Sequence, residues 1–270
     1  TTADGEKFFN GHYDDNGRRV HGDHPNGVRI DLTSQVLPIM FGTATDEQVK
    51  ECYKAARRYL RHPVTGGLRL CSDLGELKLD FGRVTGFAFG WRENGSVWSQ
   101  QNAMLAFGLY SRGFVNEGWE VFRELYGLCA DSAQARIFPN LPSCWRADGK
   151  GLSSYLTGAA TWLMVTVVNH MFGIRGDRGD LVINPKLVKE QFGKKGRAEM
   201  SCNFQGQKLK IGFTNKKGLD WNQYSLTGLT VNATPLLRQP SDTEVLRVIP
   251  RAEFLRLCNR PLNSIEVELG

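Results

Sequence analysis

The sequence predicts an α+β protein of more than one domain, a helical part with long aromatic loops followed past Gly176 by a β-sheet module. Three observations predict it. Apolar residues recur at helical spacing in several segments before residue 173. Long stretches of glycine, Asn/Asp and aromatic residues separate those segments. After Gly176 the period changes to short, alternating or β-rich runs divided by Gly, Asn and Lys turns.

Taken in order, residues 4–31 (DGEKFFNGHYDDNGRRVHGDHPNGVRID) mix turn formers with aromatics and read as an ordered loop with short strands. His12, His21, His24 and Asp23 match no zinc spacing, and Asp14, Asp15 and Asn16 lack the glutamate that closes a calcium loop. They read as turn and surface residues. Thr45 followed by Gln48 forms a capping box, and Val49, Tyr53, Ala56 and Leu60 then define a helix that ends before Pro63. Gly66 and Gly67 break the chain, and extended segments and loops lead to a helix over residues 102–111. Val115 to Ala130 predicts another helix, with Trp119, Phe122, Leu125 and Cys129 inward.

The stretch 159–172 is apolar on nearly every face, which predicts a central helix enclosed by protein. It is too short to cross a bilayer, which takes roughly 20 residues. At its start, Thr157 is a natural N-cap and Gly158 allows close approach to the backbone. Unpaired amides at a helix start suit an anion, so this end either binds phosphate or carboxylate or simply caps and packs.

Strands are expected at residues 181–184, 198–204, 208–214, 226–232, 245–249 and 265–269, with Leu209, Ile211 and Phe213 on one face and Lys208 and Lys210 on the other. The domain division that follows is 1–176 and 177–270.

A hydrophobic share of 41% suffices for a core. The 34 basic and 28 acidic residues give +6, but they are scattered and no nucleic-acid module accompanies them, so a solvated surface is expected rather than a nucleic-acid partner. The six cysteines form no CxxC pair and suggest reduced thiols. With no leader pattern and no span, a cytoplasmic protein without membrane association is expected, and the abrupt start at TTADGEKFF suggests a piece of something longer.

Several stretches together, DGEKFFNGHYDDNGRRVHGDHPNGVRI, WRENGSVWSQQNAM and YLTGAATWLMVTVVNHMFGIRGDRGDLVINP, resemble the inverting glycoside phosphorylases of glycoside hydrolase family 94, the cellobiose phosphorylase type. ARIFPNLPSCW and the alternating tail are similar to the 1,2-β-oligoglucan phosphorylase branch. The resemblance implies part of an (α/α)6 barrel followed by a small β-sandwich-like domain, in an enzyme larger than this chain. It implies attack of inorganic phosphate on the anomeric carbon, release of α-glucose 1-phosphate, and no cofactor or metal. A homodimer is the assembly it suggests.

By that resemblance Thr157 and Gly158 contact phosphate. Arg92 and Glu93 lie beside the sugar, unless they are a surface pair on a loop, and Asn140 falls near a sugar-binding amide. Gln100 stands where relatives have a phosphate-contacting histidine; it still donates a hydrogen bond but carries no charge. The family's catalytic aspartate belongs upstream of this chain, so no residue here is assigned as general acid and the piece alone is expected to be inactive. Two other readings stay open: a hydrolase or transglycosylase of the same fold, and a non-catalytic carbohydrate-binding or assembly piece.

Overall fold

The structure, a computed structural model, describes residues 1–77, 79–137, 140–154, 158–239 and 242–270, with only the backbone of Leu79 and Asp80. The chain divides into two compact units, Thr1–Met164 and Val165–Gly270.

In the first unit, the hairpin β1 (Gly22–His24) and β2 (Gly27–Arg29) precedes helix α1 (Thr33–Met40). The loop around it closes on a hydrogen-bonded His21–Asp31 pair. His21 Nε2 lies 2.9 Å from Asp31 Oδ2, the Gly11 amide donates to His21 Nδ1 at 2.8 Å, and the Ser34 hydroxyl donates to Asp31 at 2.6 Å. Burial alone would raise the Asp31 carboxyl, yet the hydrogen bonds that it accepts from His21 and Ser34 hold it below its ordinary value. A Cβ on Gly11 would stand 2.0 Å from Ser34 Oγ, so only glycine fits there.

Helix α2 (Asp46–Leu60) starts with the expected reciprocal box: Gln48 N donates to Thr45 Oγ1 at 3.2 Å and Thr45 N to Gln48 Oε1 at 2.9 Å. Its apolar face, Val49, Cys52, Ala55, Ala56 and Leu60, is buried. A 3₁₀ segment (Leu79–Gly86), kinked at Gly82, and strand β3 (Val97–Trp98) lead into helix α3 (Ser99–Ser111), which packs on α1 and on α4 (Val115–Ala130). Arg57 of α2 binds Glu120 and Glu124 of α4 at 2.7 and 2.6 Å. A short α5 (Ser132–Ala135), β4 (Cys144–Trp145) and β5 (Gly151–Leu152) follow, and β3, β4 and β5 form a small antiparallel sheet. Helix α6 (Gly158–Val165) continues as a π-helical turn, Thr166–Met171.

The enclosed helix of this unit is α3 rather than the segment 159–172. Ala103, Leu105, Ala106, Leu109 and Tyr110 are all buried to 1% exposure or less. In α6 only Ala159 is fully buried, whereas Gly158, Ala160, Thr161 and Met164 are exposed. Apolar composition marks α6 as a helix able to be enclosed, but burial depends on what packs round it.

The second unit holds two sheets. One has the order β12-β7-β6, from β6 (Ile174–Asp177), β7 (Asp180–Ile183) and β12 (Arg247–Ile249). The other has the order β11-β10-β13-β9-β8, from β8 (Arg197–Phe204), β9 (Gln207–Thr214), β10 (Leu226–Val231), β11 (Thr234–Pro235) and β13 (Asn263–Leu269). The β13 and β9 pair is parallel and the rest antiparallel. Leu209, Ile211 and Phe213 are buried, as the alternation requires. Helix α7 (Arg251–Leu257), not anticipated from the sequence, places Phe254 edge-on to Phe204 at 5.2 Å. All six cysteines are unbridged.

Candidate functional site

The turn Gly90–Gly95 is built from its own backbone outward. Gly90 N donates to Asn94 O at 2.7 Å, and Asn94 Nδ2 donates to Phe87 O at 2.7 Å. Arg69 donates to Gly95 O at 2.9 Å while its guanidinium lies 4.8 Å from the Phe89 ring centre. The Ser96 hydroxyl donates to Arg92 O. Within this frame Arg92 has φ 47°, a left-handed conformation that costs a non-glycine residue about 1–2 kcal/mol. Such strain persists only where surrounding bonds over-determine it, and these do.

Arg92 and Glu93 are therefore held on a rigid turn. The Arg92 guanidinium lies 5.8 Å from the Phe87 ring centre, and Arg83, from the 3₁₀ segment, lies 5.4 Å from the same ring. Arg83 Nη2 is 3.5 Å from Glu93 Oε1. The other oxygen, Glu93 Oε2, is shielded from solvent and accepts no hydrogen bond among the described residues. Beneath the turn, burial raises the Cys144 thiol above its ordinary value; Arg92 lowers it and Glu93 adds to the rise.

Strand β3 carries the chain from this turn into α3, whose first turn holds Gln100. A Cβ on Gly158 would sit 3.4 Å from Gln100 Oε1, so the start of α6 and the Gln100 side chain are neighbours. Gln100 Nε2 makes a long contact, 3.9 Å, to Met104 Sδ. Thr157 lies outside the described residues. Asn140 is exposed and its Nδ2 donates to Ser154 O at 3.2 Å; among the described residues no hydrogen bond joins it to Arg92, Glu93 or Gln100.

The structure thus sets Gln100 beside Gly158, whereas Glu93 is paired with Arg83 and the Arg92 guanidinium lies near the Phe87 ring. Arg83 escaped sequence reasoning, since nothing in LDFGRVTG marks it. A side-chain amide beside a helix start suits an anion.

The Glycosyl hydrolase 94 superfamily catalytic-domain model matches residues 1–173. The chain belongs to that superfamily. It is 27% identical over 197 residues to a cellobionic acid phosphorylase of Neurospora crassa, covering 68% of this chain and 24% of that protein. A solabiose phosphorylase of Paenibacillus borealis is 27% identical over 187 residues, 66% of this chain and 24% of that protein. A cyclic beta-(1,2)-glucan synthase, NdvB, of Rhizobium meliloti is 27% identical over 228 residues, 80% of this chain and 8% of that protein. The chain therefore spans a quarter or less of these relatives' lengths. Among solved structures, one described as a sialidase superposes with a TM-score of 0.51 at 12% identity, over 85% of this chain and 21% of that one, a likeness of fold alone. No helix among the described residues is long and apolar enough to cross a membrane.

Proposed function

We propose that this chain supplies the phosphate-side and leaving-sugar residues of an inverting glycoside phosphorylase that cleaves β-glucosidic bonds, with 1,2-β-oligoglucans as substrate. A phosphate oxygen forms a bond to the anomeric carbon as the bond to the leaving sugar oxygen breaks, and α-glucose 1-phosphate departs. Proton delivery to the leaving oxygen comes from a carboxylic acid upstream of this chain. The reading rests on the neighbourhood of Gln100 and Gly158, an uncharged donor beside the first amides of α6. Thr157 adds a hydroxyl at the same helix start. Arg92 and Glu93 receive the sugar hydroxyls, and Asn140 contributes from the loop edge.

In this reading the helices form part of an (α/α)6 barrel over 1–176, completed by the upstream segment, and 177–270 is a β-sandwich-like domain. Phosphate is a co-substrate, no metal or cofactor takes part, and the enzyme is cytoplasmic and homodimeric.

The test is phosphate-dependent release of glucose 1-phosphate from 1,2-β-oligoglucans by the chain alone and joined to its upstream segment. Activity only in the joined enzyme is expected, and silence in both overturns the reading. A second reading, hydrolase or transglycosylase, is favoured by Gln100, which lacks the charge a histidine brings to an anion; the match to a glucan synthase supports it. Sugar release or transfer without phosphate from the joined enzyme would establish it.

A further inference from the structure

The second unit carries a groove that takes no part in the chemistry proposed above. Its polar end is a cavity of about 380 Å³ lined by Asn222, Gln223, Ser225, Arg238 and Glu244. It adjoins a second cavity of about 400 Å³, which shares Ser225, Leu226 and Arg238 and is edged by Thr227, Leu236 and Leu237. Each falls in the range of small-molecule sites, roughly 300–1,000 Å³. The groove runs beside the start of β10, where the register against β13 shifts between Leu226 and Gly228.

The bonds that hold its wall leave the charged lining side chains out. Leu226 N donates to Glu244 O at 2.6 Å, and Arg247 donates to Thr243 O at 2.5 Å and to Leu226 O. Asp242 accepts from Gln239 N at 2.7 Å and from Val248 N at 2.9 Å, and faces Arg247 Nε at 3.8 Å. Arg238 and Glu244, set on either side of Asp242 in the chain, are exposed. Among the described residues their side chains make no hydrogen bond or ion pair, and neither does that of Asn222. The guanidinium only donates and the carboxylate only accepts, and the two are not spent on each other.

One accessible positive group and one accessible negative group select against a charged ligand, since an anion meets Glu244 and a cation meets Arg238. Arg247 adds no free charge, because Asp242 answers it. Sugar hydroxyls both donate and accept, so neighbouring hydroxyls suit this pair, and the amides of Asn222 and Gln223 serve in either sense. Leu236 and Leu237, the latter 85% exposed, offer apolar surface to the C–H faces of a sugar ring. We propose that this groove binds a neutral glucan chain, with Arg238 donating to one ring hydroxyl and Glu244 accepting from another. It holds the chain without acting on it. The choice of a glucan rests on the reading of this chain as part of a glucan-cleaving enzyme, but the test does not require phosphate chemistry.

The experiment titrates the 270-residue chain with β-1,2-, β-1,3- and β-1,4-linked glucotriose by calorimetry, comparing wild type with Arg238→Ala, Glu244→Gln and Gln100→Ala. Expected is saturable binding of at least one of these ligands, with its Kd raised about tenfold in Arg238→Ala and in Glu244→Gln but within about twofold of wild type in Gln100→Ala. The melting temperature of the first two variants stays unchanged, since both side chains are exposed and bond to no described residue. A wild type that binds none of the three overturns the proposal, as does a Kd within about twofold of wild type in both Arg238→Ala and Glu244→Gln. Binding of a β-1,3- or β-1,4-linked ligand alone refutes the 1,2-linkage of the reading above and leaves the groove standing. Cleavage without phosphate by the enzyme joined to its upstream segment likewise refutes the phosphorylase reading and leaves the groove standing.

Discussion

The side-chain amide of Gln100, in the first turn of α3, lies against Gly158 at the start of α6, close enough that an added Cβ would meet Gln100 Oε1 at 3.4 Å. That is an ordinary van der Waals distance, and alanine has less backbone freedom to lose on folding than glycine, worth about 0.4–1 kcal/mol. Gly158→Ala should therefore leave the melting temperature unchanged or raise it, while the methyl narrows the approach to the helix amides and raises KM for phosphate. Equal phosphate KM in the variant and wild type would remove Gly158 from the anion site.

Gln100 donates without charge, and a bond to an ionised partner is worth about 1.5–3 kcal/mol. Gln100→Ala should raise KM for phosphate by tenfold or more, with the oligoglucan KM less affected. Gln100→His should restore affinity below pH 6.5, where imidazole is charged, and lose it above. Phosphate KM measured from pH 5.5 to 8 checks both, and a flat profile for the histidine variant counts against the site.

The Gly90–Gly95 turn closes on Gly95, which has φ 74° and would place a Cβ 2.0 Å from the Phe89 ring. Gly95→Ala carries both a backbone and a steric penalty, about 2–4 kcal/mol in all. Adding Phe89→Ala should relieve the steric part and leave the backbone part. A denaturation cycle over the four proteins reads the difference, and additivity of the two changes would contradict this packing.

His62, at 2% exposure, accepts amide hydrogens from Val64 and Thr65 at Nδ1, 3.2 and 3.1 Å away. Burial, with a smaller push from Arg69, lowers its pKa to about 4 from the ordinary histidine value of 6.5. Between those values the unfolded chain binds a proton that the folded chain refuses, so stability is full above pH 6.5 and falls as pH drops towards 4. The loss is at most about 3 kcal/mol. His62→Asn keeps an acceptor for the amides and should flatten that slope in urea titrations at pH 7, 5.5 and 4.5; an unchanged slope would assign it to other groups.

Local chemistry was legible in the residues themselves. The Thr45/Gln48 box and the spacing from Val49 to Leu60 fix α2, Val115 to Ala130 fixes α4, and the alternation through Leu209, Ile211 and Phe213 fixes β9, because each signal lies within one or two turns or a few strand positions.

What only the tertiary structure decided depends on residues far apart in the chain. Helix α3 reads as less apolar than 159–172, yet it is the enclosed one because its polar groups find distant partners: Asn102 exchanges bonds with the Leu68 backbone at 2.9 and 2.8 Å, and Ser99 Oγ accepts from Trp145 Nε1 at 2.9 Å. A buried polar group costs little once bonded, so hydropathy alone misjudged which helix the core would accept. Arg83 was hidden for the same reason, since its meaning comes from Glu93 and Phe87, and Phe81 finds Arg29 and His24 only in the folded chain. The sequence by itself determined α2, α4, β9 and the family; the fold alone decided which helix is enclosed and which arginine stands beside the carboxylate, because burial and ion pairing are properties of contacts that the order of residues does not state.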